Sequence, residues 1–226
     1  MTITFEGLVE RARSLVPPGG RAVLGIAGAP AAGKTTLAEE LVAALAPTPP
    51  PGLVAGAWVA HVPMDGFHLA DVELSRLGRR DRKGAPDTFD PLGYAALLRR
   101  VLADEDEVIY APGFERVIEQ PIAGSMPIFR DARLIISEGN YLLLDDPLWR
   151  PLRGLFAEVW YADLDQTTRL SRLISRHVRF GKDVSAASAW ATGTDERNAV
   201  LIAATRSSAD VVVPAAVIHR VGSPPA

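Results

Sequence analysis

The chain has 226 residues, 48% hydrophobic and 23% charged, with 24 basic against 27 acidic side chains and no cysteine. That is ample material for one compact core with a lid, and a single domain spanning 1–226 is expected. A net charge of −3 argues against sequence-independent nucleic-acid binding, which needs a basic footprint. The lack of cysteine excludes disulfides, thiolate metal centres and cysteine nucleophiles, and is compatible with a reducing cytoplasm.

Phe5, Leu8, Val9, Ala12 and Leu15 recur at helical spacing, predicting an amphipathic helix that ends at Pro17-Pro18-Gly19-Gly20. Glu6 and Glu10 in this opening segment make a signal peptide unexpected. Ala22–Ala27 is an unbroken apolar run, the pattern of a strand buried on both faces of a parallel sheet. A glycine-rich turn and a helix over Lys34–Leu45 follow. From Leu41 to Met64 there is no Asp, Glu, Lys or Arg, a length that could span a bilayer. Its centre, Pro47-Thr48-Pro49-Pro50-Pro51-Gly52, cannot continue a helix, so it reads as a helix end, a loop and a buried strand, with no membrane segment. Further strands are expected at Trp58–Val62, Val108–Tyr110, Leu134–Ser137, Val159–Ala162 and Asp210–Val213, and helices at Pro91–Ala103 and Thr167–Arg179. The alternation of strands and helices predicts an α/β layered fold. The polar stretch Leu77–Asp90 is the expected functional loop insertion.

The segment Gly28-Ala29-Pro30-Ala31-Ala32-Gly33-Lys34-Thr35 matches G-x-x-x-x-G-K-[ST] in full, directly after an apolar strand and before a helix, as the phosphate loop requires. Glycines let the backbone curl so that its N–H groups point inward, and the helix N-terminus favours an anion. Lys34 can then reach β/γ-phosphates and the Thr35 hydroxyl can ligate Mg²⁺. A guanine-reading N-K-x-D is absent, because Gly33, Arg82 and Gly181 precede the three lysines; an LSGGQ-like transporter signature is absent too.

Asp65, in Met64-Asp65-Gly66-Phe67-His68, falls at the C-terminal end of an expected parallel strand, where ligands bind. It could accept the proton of a substrate hydroxyl or hold Mg²⁺, or simply belong to an Asp-Gly turn. Glu138, in Ile135-Ile136-Ser137-Glu138-Gly139-Asn140-Tyr141, ends another apolar strand and could orient Mg²⁺ or cap a turn. His68 could contact a substrate or pack. Arg169, Arg172, Arg176 and Arg179 are spaced for one helical stripe, either a lid over a polyphosphate or a solvated basic face.

Together the phosphate loop, D-G-F-H at Asp65–His68, R-K-G-A-P-D-T-F-D at Arg82–Asp90, A-P-G-F-E-R at Ala111–Arg116, E-G-N-Y at Glu138–Tyr141 and R-L-x-x-R-H at Arg172–His177 resemble the P-loop kinase family of uridine kinase, phosphoribulokinase and bacterial pantothenate kinase. The resemblance covers about residues 20 to 215 and is nearest to the nucleoside kinase-like or fructose-transport-system kinase subgroup. It implies a three-layer α/β fold, a mainly parallel sheet flanked by helices, with a lid at 167–183 and substrate loops at 77–122. By the same resemblance, residues 28–36, through Thr36, hold ATP, and Thr35 holds Mg²⁺ with Glu138 and Asp65. Asp65 activates the acceptor hydroxyl, Arg172 and Arg176 close the lid, and His68, Lys83, Asp90 and Arg116 fall in acceptor segments. Uridine kinases have D-S-F-Y where this chain has D-G-F-H, while D-G-F and R-K-G-x-P look more like pantothenate kinase; the acceptor stays open among sugars, nucleosides and pantothenate-like molecules. Asn198 is a candidate adenine contact; the sequence leaves the oligomeric state open, a homodimer included. The rival expectations are a nucleotide-dependent regulatory ATPase without an acceptor and a non-catalytic binding module.

Overall fold

The computed structural model describes residues 2–181 and 183–221. Among them the strands are β1 (Ala22–Ala27), β2 (Val59–His61), β3 (Val108–Glu115), β4 (Gln120–Phe129), β5 (Leu134–Gly139), β6 (Glu158–Asp163) and β7 (Val211–Pro214). The α-helices are α1 (Phe5–Ser14), α2 (Lys34–Leu45), α3 (Asp71–Arg76), α4 (Pro91–Ala103), α5 (Gln166–Arg179), α6 (Val184–Thr192), α7 (Thr194–Ala203) and α8 (Ala215–Val221).

Five strands form a parallel sheet in the order β2-β5-β1-β6-β7. β1 sits at its centre and is buried along its whole length, which explains its unbroken apolar run. Its side chains still alternate between two cores. Val23 and Ala27 join Ile135, Tyr94 and Leu98 on the α4 face. Leu24 and Ile26 join Ile136, Leu37, Leu41 and Trp160 on the face covered by α1, α2 and α8. The register pairs Ile26 with Glu138 and Ala27 with Tyr161, so the strands end level at the edge where open α/β sheets bind ligands.

The uncharged stretch behaves as its prolines dictate. α2 stops at Leu45, and Trp58 folds back to donate its indole N–H to the Leu45 carbonyl at 3.0 Å. No helix among the described residues is long and apolar enough to cross a membrane.

One expected strand takes another role. Val108–Tyr110 opens β3, which pairs antiparallel with β4 as a separate hairpin outside the parallel sheet. Prolines at 112, 121 and 127 explain the separation, since a residue without an N–H fits only where a ladder bond is not needed. A two-stranded ribbon has two such edges. Within the stretch read as the loop insertion, residues 80–82 and 86–88 form short 3₁₀ turns. Of the lid segment, Lys182 lies outside the described residues.

The hairpin crosses the segment after β2 so closely that a Cβ on Gly66 would lie 2.0 Å from the Pro112 carbonyl oxygen. Gly66 is therefore needed for close approach. Gly66→Ser, which would recreate the D-S-F pattern, is expected to lower stability by about 1–3 kcal/mol, the usual cost of overpacking, measured by urea denaturation.

His61 closes β2 with its Nε2 buried and unpaired among the described residues, and burial pushes its pKa down to about 4. The unfolded chain takes up that proton near pH 6.5, so stability falls as pH drops from about 6.5 towards 4. Between pH 7 and pH 5 the wild type should lose about 2 kcal/mol more than His61→Gln does, read from urea midpoints at each pH.

Candidate active site

The phosphate loop runs straight from β1 into α2. Gly28 packs against the Ala162 backbone, Ala31 adopts φ +62°, and Gly33 adopts φ +91°. A Cβ on Gly33 would come 2.7 Å from Ile218 Cγ2, so both its conformation and its space favour glycine. Gly33 also caps α2 without a side-chain hydrogen bond, and no acidic residue sits in the first helical turn. The leading N–H groups of α2 are thus left for an anion.

Lys34 is buried and donates from Nζ to the Ala29 carbonyl at 3.1 Å. Burial holds its ammonium below the usual lysine range, opposed by the charges of Glu138 and Asp65. Thr35 donates from Oγ1 to Glu138 Oε1 at 2.9 Å. Burial, then the nearby Asp65 charge, push Glu138 above the usual carboxylate range.

A chain of hydroxyls sets the carboxylates. Ser137 donates to the Val62 carbonyl, so the Tyr94 phenol must be the donor in its 2.5 Å contact with Ser137 Oγ. This ties the end of β5 to the end of β2. A Cβ on Gly139 would meet Met64 side-chain atoms at 2.6 Å, so the backbone after Glu138 packs directly against the side chain that precedes Asp65. Asp65 accepts from Arg116 at 3.3 Å, and its carbonyl accepts from His68 Nδ1 at 2.8 Å.

Two recesses meet here. A cavity of about 170 Å³ is lined by Lys34, Thr35, Asp65, Glu138, Arg116 and Arg176, with His68, Lys83, Phe89, Phe114, His177 and Asp195 farther from the loop. A wider cleft of about 560 Å³ is lined by Gly33, Lys34, Thr35, Thr36, Arg172, Arg176, Arg179 and Phe180. Lys34, Thr35, Arg116 and Arg176 belong to both.

The expected arginine stripe divides. Arg169 turns away and is buried in an ion pair with Glu196 of α7. Arg172, Arg176 and Arg179 carry no ion pair among the described residues and line the wider cleft. Asp90 does not reach the cavity: it caps α4, accepting from the Gly93 N–H at 2.8 Å, with Pro91 following. Lys83 lines the cavity, but its ammonium is held by Asp71 at 2.6 Å and by the Glu119 carbonyl at the hairpin tip. Asn198 faces the acceptor loop and donates to the Gly84 carbonyl at 3.3 Å, which Tyr141 also engages at 2.5 Å; it is not in the wider cleft.

Sequence reading missed several lining groups. His177 follows Arg176 in R-L-x-x-R-H, a signal that was present. Its Nε2 meets Asp195 Oδ2 at 2.8 Å. Asp195, Phe114 and Glu119 have no such local signal, because the fold-back of α7 and the hairpin bring them in.

A parallel sheet in this order, a phosphate loop at the end of its central strand and unpaired arginines on α5, the helix after β6, define a P-loop kinase fold. No family model matches the chain. It is similar to the provisionally named uridine kinase C227.14 of Schizosaccharomyces pombe, 30% identical over 190 residues covering 79% of this chain and 75% of that protein. It is 32% identical to the ATP-dependent kinase-like protein notR' of Aspergillus versicolor over 160 residues, 67% of this chain and 93% of that one. Among solved structures, a provisionally named fructose transport system kinase from Silicibacter sp. TM1040 superposes with a TM-score of 0.84 at 35% identity, covering 94% of this chain and 100% of that one. The chain belongs to the P-loop kinases of the uridine kinase-like group, and is a small-molecule kinase.

Because Glu196 pairs a buried guanidinium from a partly exposed position, Glu196→Ala should destabilise the protein by about 1–3 kcal/mol, the cost of a buried donor left unsatisfied, seen as a lower urea midpoint. Arg169→Met/Glu196→Ala together should recover part of that loss.

Proposed function

We propose that the protein moves the γ-phosphoryl group of ATP onto a hydroxyl of a small metabolite with Mg²⁺ as cofactor. The observation that carries this reading is the shared wall. One recess suits a nucleotide triphosphate, the other a small acceptor, and they meet at Lys34, Thr35, Arg116 and Arg176. A nucleotide-only regulator has no need of the second recess.

The residues present fit Mg²⁺. Thr35, Glu138 and Asp65 offer hard oxygen donors, yet no cluster of three or more acidic, His or Cys side chains among the described residues could hold a metal alone. That is the donor set of a Mg²⁺ site completed by phosphates and water. When bound, Mg²⁺ neutralises charge on the β- and γ-phosphates.

The chain's own groups do the rest. The loop amides, the N-terminus of α2 and Lys34 hold the phosphates. Asp65 accepts the proton of the acceptor hydroxyl at its carboxylate, oriented by Arg116. Arg172 and Arg176 close over the transferred group and exclude water, which would otherwise divert ATP to hydrolysis.

Lys34→Ala should lower ADP release in the presence of acceptor by about 10²–10³-fold. Asp65→Asn should lower turnover by about 10²–10⁴-fold while calorimetric ADP affinity stays near wild type. Normal turnover by Asp65→Asn would move the base elsewhere.

A further inference from the structure

The acceptor cavity has a definite hydrogen-bonding polarity. His68 is clasped between Phe89, with ring centroids 3.9 Å apart, and Phe114, at 4.7 Å. A backbone carbonyl can only accept, so the contact with the Asp65 carbonyl places the ring proton on Nδ1. With its one ring proton committed to that carbonyl, the neutral imidazole presents Nε2 as a bare acceptor. Asp195 commits Oδ2 to His177, and Asp65 commits Oδ2 to Arg116. Asp65 Oδ1, His68 Nε2 and Asp195 Oδ1 therefore carry no hydrogen bond among the described residues, and none is sealed from solvent. All three side chains line the cavity.

The cations of the cavity are either paired within the protein or shared with the phosphate cleft. Lys83 is neutralised by Asp71 and also donates to the Glu119 carbonyl. Arg116, Arg176 and Lys34 also line the phosphate cleft. A carboxylate or phosphate on the acceptor would have to share Lys34, Arg116 and Arg176 with the polyphosphate and would face the open oxygen of Asp195. A volume of about 170 Å³ is below the roughly 300–1,000 Å³ of pockets for drug-sized ligands. The Phe89 and Phe114 rings, which could have stacked on a base, hold His68 instead.

Resting on the kinase reading above, we infer that the acceptor is a small uncharged polyol of single-sugar size, and that His68 is a specificity residue whose Nε2 accepts a hydrogen bond from a hydroxyl next to the one phosphorylated. Asp195 accepts from a further hydroxyl. Asp65 takes the reacting proton as the acceptor oxygen bonds to the γ-phosphorus and the bond to the leaving ADP oxygen breaks. Three acceptors in one small cavity select a molecule rich in O–H donors.

The test is phosphorylation by Mg·ATP of three acceptor sets: neutral polyols (fructose, glucose, ribose, glycerol), anions (glycerate, pantothenate, ribulose 5-phosphate) and a nucleoside (uridine). Products are read by ³¹P NMR with Lys34→Ala as blank. A polyol should be the best acceptor. With that polyol, His68→Asn keeps a donor for the Asp65 carbonyl but withdraws the outer acceptor, so acceptor KM should rise about tenfold. His68→Gln can extend an amide oxygen towards the Nε2 position and should recover most of that loss. Thermal unfolding and ADP binding of both variants report whether they fold. A better anionic or nucleoside acceptor, or equal behaviour of folded Asn and Gln variants, overturns the inference. So does failure of every polyol both to react and to show saturation-transfer NMR contact in the presence of Mg·ADP. The kinase reading itself falls only if a broad metabolite extract yields no Lys34-dependent phosphorylated product.

Discussion

The turn between β1 and α2 is the constraint on which the site depends. β1 is locked between β5 and β6 and buried on both faces, so its end has a fixed position and direction. From there the chain must curl through a left-handed Gly33 to start a helix whose first amides remain uncapped. The result is an anion-receptive cradle whose position is set by the sheet rather than by a mobile loop. The parallel register then delivers Glu138 from β5 and the Asp65 segment beyond β2 to the same edge.

Within that frame, burial concentrates charge. Lys34 and Glu138 are both buried in the same recess, their shifts opposing their ionised forms. The low local dielectric that makes those charges costly also strengthens their action on a bound polyphosphate. The arginines of α5 are sorted by the same principle. Arg169, facing the interior, has acquired Glu196. Arg172, Arg176 and Arg179, lining the wide cleft, remain without an ion-pair partner among the described residues.

The acceptor side is built differently, from long-range contacts between irregular segments. Lys83 joins α3 to the hairpin tip through Asp71 and Glu119. Tyr141 and Asn198 converge on the Gly84 carbonyl from separate parts of the chain. The polar walls are thereby fixed in place, and preorganised groups of this kind discriminate between ligands without rearranging. Gly66 lets the hairpin lie close enough to form one wall.

How far the sequence could be read follows from the range of the forces involved. The phosphate loop, the all-buried β1 and the strand-end acids Asp65 and Glu138 were legible because local backbone geometry and burial periodicity write themselves into neighbouring residues. Only tertiary structure separated Arg169 from the other arginines, since both fates share one spacing and differ in whether Glu196 packs opposite. Likewise Asp90 became a helix cap, Lys83 a clasp and Val108–Tyr110 half of a hairpin. Residue type and spacing determined that the chain could cradle a polyphosphate. Which side chains face the acceptor was decided by α7 and the hairpin folding back across the sheet edge, because hydrogen-bond polarity in a cavity belongs to atoms far apart in the chain.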